Sequence, residues 1–294
     1  MPHIGFIGLG NMGGPMAANL VKAGQHVAGF DVVAASRDVA MRDGIEIVAD
    51  ARSCVENADV VITMLPAGEH VLSVWNDILP AANQGALFID CSTIDVASAR
   101  TAHVLAAEHG IASLDAPVSG GVGGAKAATL TFMVGGSPDA FARGKPVLER
   151  MGKRIVHCGD VGNGQAAKIC NNMILGASMI AVSEAFVLGE KLGLSHQALF
   201  DVASASSGQC WSLTSYCPVP GPVPASPANN DYKAGFAGAL MLKDLNLAKE
   251  AAASVGADTA IGSHAAQIYE RFVQDGHGAS DFSAIINLVR RQSR

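Results

Sequence analysis

Three observations predict an α/β chain in which a doubly wound, mostly parallel sheet is followed by an all-α C-terminal domain, the two joined by a long helix. Short apolar runs alternate with helical periodicity through the first half, helical periodicity takes over from Gln165 onward, and the earliest apolar run breaks into a glycine turn. With 294 residues, 49% hydrophobic and 16% charged, the chain is long and apolar enough for two cores. The expected domains are 1–162 and 163–294.

Residues 4–7 read as the first strand. They run into Gly8-Leu9-Gly10-Asn11-Met12-Gly13, residues 16–21 continue as a helix, and Gly24 stops it. In that order Gly8 permits a tight turn, Gly10 lets the backbone approach a pyrophosphate, and Gly13 lets the helix pack close to the strand, its N–H groups facing phosphate. This is the pattern of a Rossmann-type dinucleotide site. The second strand, 26–31, ends on Asp31, 18 residues beyond Gly13, close to where an acid binds the ribose 2′-hydroxyl of NAD. A 2′-phosphate would be repelled there, so NAD is expected over NADP, with Arg37 the one nearby residue that keeps NADP open.

Runs at 60–64, 86–90 and 111–114 supply further strands with helices between them. Two more, 130–134 and 154–157, flank a helix that Ser137 caps and Pro138 opens. Open sheets of this kind hold ligands beyond the carboxyl ends of their strands. That marks Leu65-Pro66 after one strand and Asp90-Cys91-Ser92-Thr93 after another. Thr93 reads equally as a nicotinamide-side contact and as a helix cap before Ile94-Asp95-Val96. The stretch 115–125 packs four glycines around Ser119. Bare N–H groups at Ser119, Gly120 and Gly121 suit a carboxylate, while a flexible turn explains the same residues.

Helical patterns then cover 165–192, 195–205, 238–254, 259–274 and 282–290. Lys168 and Asn172 share one face of the first. Removing a lysine from water disfavours its charged form, which lets it exchange a proton with an alcohol; a lysine lying along the surface with its charge in solvent is the plain alternative. Lys243 and Asp244 sit on another amphipathic helix, where a solvated face is the default and Asp244 pairs with some neighbouring cation. Prolines alternating with small residues at 217–228 exclude a helix and predict an extended segment, either a surface loop or a border of the site.

The net charge of −6 offers nothing to nucleic acid or an anionic membrane. Arg290, Arg291 and Arg294 read as a solvated end. Six cysteines, at 54, 91, 158, 170, 210 and 217, form no C-x-x-C pair, so neither a zinc site nor a disulfide framework is indicated, no metal is expected, and free thiols suit a reducing cytosol. No leader is expected ahead of a strand beginning at residue 4. The apolar stretch 173–188 carries Ser178, Ser183 and Glu184, which makes it a buried helix or a subunit contact rather than a membrane span, and a homodimer or homotetramer is expected.

Together, Phe6-Ile7-Gly8-Leu9-Gly10-Asn11-Met12-Gly13, 115–121, 162–172 and Leu242-Lys243-Asp244-Leu245 resemble the four signatures of the β-hydroxyacid dehydrogenases, in order and over nearly the whole chain. Trp211, the segment 217–227, Asp231-Tyr232-Lys233 and Gly235-Phe236 are most similar to the branch of that family acting on 3-hydroxyisobutyrate. The resemblance implies NAD-dependent oxidation of that acid to methylmalonate semialdehyde, a step of valine breakdown. L-serine, 3-hydroxypropionate and tartronate semialdehyde are alternative substrates, and a non-catalytic NAD-binding sensor is the alternative of another class. It implies Lys168 as general acid/base, Asn172 beside it holding substrate, Ser119, Gly120 and Gly121 on the substrate carboxylate, and Trp211 at the substrate. Gly8, Gly10, Asn11, Met12, Gly13, Asp31, Leu65, Pro66, Thr93, Phe236 and Lys243 are implied on the cofactor. His70 stands where the family often has asparagine, so no cofactor contact is assigned to it.

Overall fold

The structure, a computed structural model, describes residues 2–293. Two compact units divide the chain, Met1–Lys168 and Ile169–Arg294.

In the first unit, nine strands among the described residues form one sheet: β1 (His3–Ile7), β2 (His26–Phe30), β3 (Glu46–Ile47), β4 (Val60–Thr63), β5 (Leu87–Asp90), β6 (Ala112–Asp115), β7 (Val118–Ser119), β8 (Leu130–Gly135) and β9 (Gly152–Gly159). The order is β3-β2-β1-β4-β5-β6-β8-β7, with β9 beside β8. β1 pairs in parallel with both β2 and β4, so the strand order reverses at β1, where open sheets bind nucleotides. Only the pairings of β8 with β6 and β7 are antiparallel. The two-residue strands β3 and β7 are too short to show a period in sequence.

The helices of this unit are α1 (Gly13–Lys22), α2 (Ala34–Arg42), α3 (Gly68–Ile78), α4 (Val96–Glu108), α5 (Gly121–Ala127) and α6 (Pro138–Leu148). Burial on both faces of the sheet explains the near-continuous apolar strands. Phe6, Ile62 and Ile89 pack with Met16 and Leu20 of α1 on one face; Ile7, Val61 and Phe88 pack with Trp75 of α3 and Ala102 of α4 on the other. Register places Ile7, Thr63, Asp90 and Asp115 side by side, so the loops that follow them leave along one edge.

α7 (Asn163–Lys191) begins in the first unit and continues into the second, which adds α8 (His196–Ser204), α9 (Trp211–Thr214), α10 (Gly238–Val255), α11 (Ala260–Phe272) and α12 (Ile285–Gln292). By length and composition α7 is the one helix among the described residues able to cross a membrane. Its inner stripe is nevertheless that of a core helix: Met179 and Ile180 pack with Met241, Leu245, Tyr269 and Phe272, and Phe186 and Val187 with Leu213, Val219 and Ile286. Ile174 and Leu188 are exposed.

Three expectations need correction. The 115–125 segment is ordered secondary structure rather than a flexible turn, with Ser119 ending β7, Gly120 at φ +133° and Gly121 opening α5. The proline segment is a folded loop rather than an extended one. Cys217 and Val219 are fully buried, Ser226 Oγ donates to Cys217 O, and Asn229 links Gly221 N to Val223 O. Arg290 is no solvated end: it grips Glu190 through Nη2 (2.6 Å) and Nε (3.2 Å) and holds that carboxyl below the usual range. Arg294 lies outside the described residues.

Candidate active site

The glycine turn is built by contacts that only hydrogen allows. A Cβ on Gly8, at φ +95°, would stand 2.3 Å from Met64 O, and one on Gly13 would stand 1.9 Å from Gly8 O. Gly10 differs, since a Cβ there would meet nothing within 4 Å. The space beside it is open, which is what a pyrophosphate approaching the backbone requires. α1 follows with no side-chain cap at Met12 and no acid in its first turn, leaving its positive end to a phosphate. Asp31 is fixed by Leu9 N to Oδ2 (2.7 Å) and Val33 N to Oδ1 (2.8 Å), and Arg37 Nη1 donates to its carbonyl (2.6 Å). The turn at Gly8, Gly10 and Gly13, the uncapped start of α1 after Met12 and the fixed carboxylate of Asp31 therefore fit an NAD.

Along the same edge lies a buried polar network that the sequence did not announce. Thr63 Oγ1 (2.7 Å) and Ser92 Oγ (2.6 Å) both donate to Asp90 Oδ1. Trp75 Nε1 donates to Thr63 Oγ1, and Leu65 N donates to Ser92 Oγ, so the Leu65-Pro66 loop hangs from this carboxyl. Burial pushes Asp90 up to about 6 against those hydrogen bonds, and the neighbouring Asp115 charge adds to the rise. Thr93 is not the cap of α4; that place belongs to Asp95, whose Oδ1 accepts from Ser98 N.

Asp115 anchors the start of α7. Its Oδ1 accepts from Gly162 N (2.8 Å) and its Oδ2 from Gln165 N (2.9 Å), giving two orphan helix N–H groups an acid acceptor. One turn further along α7 is Lys168, only 7% exposed, so it does not lie along the surface with its charge in solvent.

In the second unit Asn172 is buried, and its Nδ2 donates to Asp244 Oδ2 of α10. Asp244 is 3% exposed. The solvated-face reading of Asp244 is thus overturned; a buried amide holds it. Lys243 borders a shallow groove of about 350 Å³ along α10 with Leu242, Asn246 and Glu250. Trp211 stacks on Tyr216 (4.9 Å) and Tyr216 on Phe282 (5.3 Å), while Phe236 meets Phe282 edge-on. Asp281 fixes this group by accepting from Tyr216 Oη and from the N–H of Gly235 and Phe236. Trp211 and Phe236 thus belong to one aromatic cluster. Gln165 and Asp281 show no role in the sequence, because a buried amide or acid reveals its partner only after folding.

Residues 3–159 match the NAD binding domain of 6-phosphogluconate dehydrogenase, and residues 162–289 match a model described as NAD-binding of NADP-dependent 3-hydroxyisobutyrate dehydrogenase. A "Probable 3-hydroxyisobutyrate dehydrogenase" of Mycobacterium tuberculosis is 56% identical over 100% of this chain and 99% of its own length. An "NAD-dependent L-serine dehydrogenase" of Pseudomonas aeruginosa is 45% identical over 98% of each chain. A solved structure described as Mycobacterium tuberculosis 3-hydroxyisobutyrate dehydrogenase with L-serine superposes with a TM-score of 0.96, covering 99% of both chains.

Proposed function

Because the chain belongs to the 3-hydroxyisobutyrate dehydrogenase family of NAD-binding oxidoreductases, we propose that it oxidises the primary alcohol of (S)-3-hydroxyisobutyrate to methylmalonate semialdehyde, with Lys168 as general acid/base, in valine breakdown. The observation that carries this reading is the burial of Lys168 on a helix whose first turn is bonded to the carboxyl edge of the nucleotide-binding sheet. NAD, when bound, supplies the hydride acceptor. Lys168 takes the hydroxyl proton at Nζ as the C–H bond breaks, so the alkoxide never accumulates. Ser119, Gly120 and Gly121 bind the substrate carboxylate by main-chain N–H groups and one hydroxyl. Asn172, oriented by Asp244, holds the substrate beside Lys168.

Asp31 supports NAD over NADP, because its carboxylate is held rigidly by two backbone amides and repels a 2′-phosphate. The names of two relatives favour a second substrate, L-serine. The two acids differ by a methyl against an ammonium at C2, so the ratio of kcat/KM for the pair decides the substrate. Lys168→Ala tests the chemistry: kcat should fall about 10²-fold or more while the Kd for NAD stays within about threefold. Retained turnover would remove Lys168 from the mechanism.

A further inference from the structure

Gln165 is fully buried in the first turn of α7, and both ends of its carboxamide are committed to one short stretch of backbone. Nε2 donates to Ser92 O (2.8 Å) and Oε1 accepts from Ile94 N (3.1 Å). The two bonds bracket Thr93. A carboxamide carries one donor edge and one acceptor edge in the relation of a peptide group, so Gln165 pairs with 92–94 much as a neighbouring strand would. Its own N–H is held by Asp115 Oδ2, and Asp115 Oδ1 is 3.0 Å from His103 Nε2 of α4. Ser92 carries the connection onward through its hydroxyl to Leu65 N. The chain of bonds runs unbroken from β6, through the start of α7, to the Thr93 and Leu65-Pro66 loops. Lys168 stands three residues beyond Gln165 on the same helix.

We infer that Gln165 is a positioning residue: it straps the Thr93 stretch to the first turn of α7, setting the cofactor wall and Lys168 at one fixed offset. The inference rests on the acid/base reading of Lys168 given above and on the resemblance that puts Leu65, Pro66 and Thr93 on the cofactor. Glutamine is the residue type this geometry selects. Glutamate would still accept from Ile94 N but would set a lone pair against Ser92 O, and leucine would leave both backbone groups buried without a partner.

Gln165→Leu, Gln165→Glu and Lys168→Ala test it through three readouts: amide hydrogen exchange without cofactor, the Kd for NAD, and kcat against KM. In Gln165→Leu the Ile94 amide should exchange about tenfold faster or more. Its kcat should fall about 10²-fold, the scale of an ångström-sized misplacement. The Kd for NAD should stay within about threefold, because the glycine turn and Asp31 are untouched. In Gln165→Glu, kcat divided by that of the parent at each pH should rise as pH falls, since the protonated acid regains a donor for Ser92 O. The titratable groups around the strap are Asp90 of β5, His103 of α4, Asp115 of β6 and Lys168 itself; all are present in the parent and divide out.

Unchanged Ile94 exchange with kcat within about twofold of the parent in Gln165→Leu overturns the strap. A pH-independent ratio near one in Gln165→Glu overturns it equally, and serves if the leucine variant does not fold. Loss of turnover in Lys168→Ala beside a parent-like Gln165→Leu refutes the strap alone. Retained turnover in Lys168→Ala beside a crippled Gln165→Leu refutes the acid/base reading and leaves the strap acting on the Thr93 wall.

Discussion

Asp90→Asn should change how the stability of the first unit depends on pH. Asp90 is 3% exposed, and its pKa is raised from 3.8 to about 6, chiefly by loss of water. The folded protein keeps this proton until about pH 6, whereas the unfolded chain releases it near 4. Between those values the native state binds more protons, so stability falls as pH rises. Below the window the effect is absent, and above it the ionised carboxyl carries the full penalty. From 3.8 to about 6, at about 1.4 kcal/mol per pH unit, the penalty is about 3 kcal/mol.

Asparagine keeps an acceptor for Thr63 and Ser92 and cannot ionise. Its Nδ2 would occupy the place of Oδ2, which finds no hydrogen-bond partner among the described residues. That buried donor is a pH-independent cost of about 1–3 kcal/mol. The difference in unfolding free energy, variant minus parent, should therefore move in favour of the variant by about 2.5 kcal/mol between roughly pH 4 and pH 7.5. Urea unfolding followed by tryptophan fluorescence reads it. The chain has two tryptophans, and Trp211→Phe leaves Trp75, whose indole donates into this network, as the reporter of the first unit. A difference that stays flat to within about 1 kcal/mol across that range would refute an elevated Asp90 pKa.

Other outcomes follow from the glycine turn and its acid. Gly10→Ala should leave stability within about 0.5 kcal/mol while weakening NAD about tenfold, because its Cβ meets only the space a pyrophosphate needs. Gly13→Ala should weaken NAD and also lose about 1–3 kcal/mol in thermal unfolding, because its Cβ collides with Gly8 O; equal behaviour of the two variants would contradict the distinction. Asp31→Asn removes the charge while retaining an acceptor for Leu9 N, and should shift the NADP/NAD ratio of kcat/KM toward NADP about tenfold, or about 1.4 kcal/mol. An unmoved ratio would mean that Asp31 does not set cofactor choice.

Much of the first unit was legible because its signals are local. Gly8 and Gly13 are needed where backbone approaches backbone, Ser137 and Pro138 cap and open α6 as their chemistry favours, and apolar runs mark strands covered on both faces. Thr93 was ambiguous because threonine serves as cap or contact with equal ease, and only the bond from Ser98 N to Asp95 separates the two. Asp244 was misread because a single acid on an amphipathic helix looks solvated until its partner, 72 residues away, is in place. The proline segment reads as extended in the sequence and folds into a loop in the structure, because proline excludes helix without specifying what replaces it.

The sequence by itself determined the α/β-then-α architecture, the dinucleotide turn with its acid, and the family to which the four motifs point. These depend on periodicity and on residues close along the chain. Only the tertiary structure decided that Asp90 and Asp115 stand side by side at the sheet edge, that one carries the Leu65-Pro66 loop and the other the start of α7, and that Gln165 clasps the backbone on both sides of Thr93. Those bonds join residues dozens of positions apart, and a polar side chain's role is set by the partner that folding brings within about 3 Å.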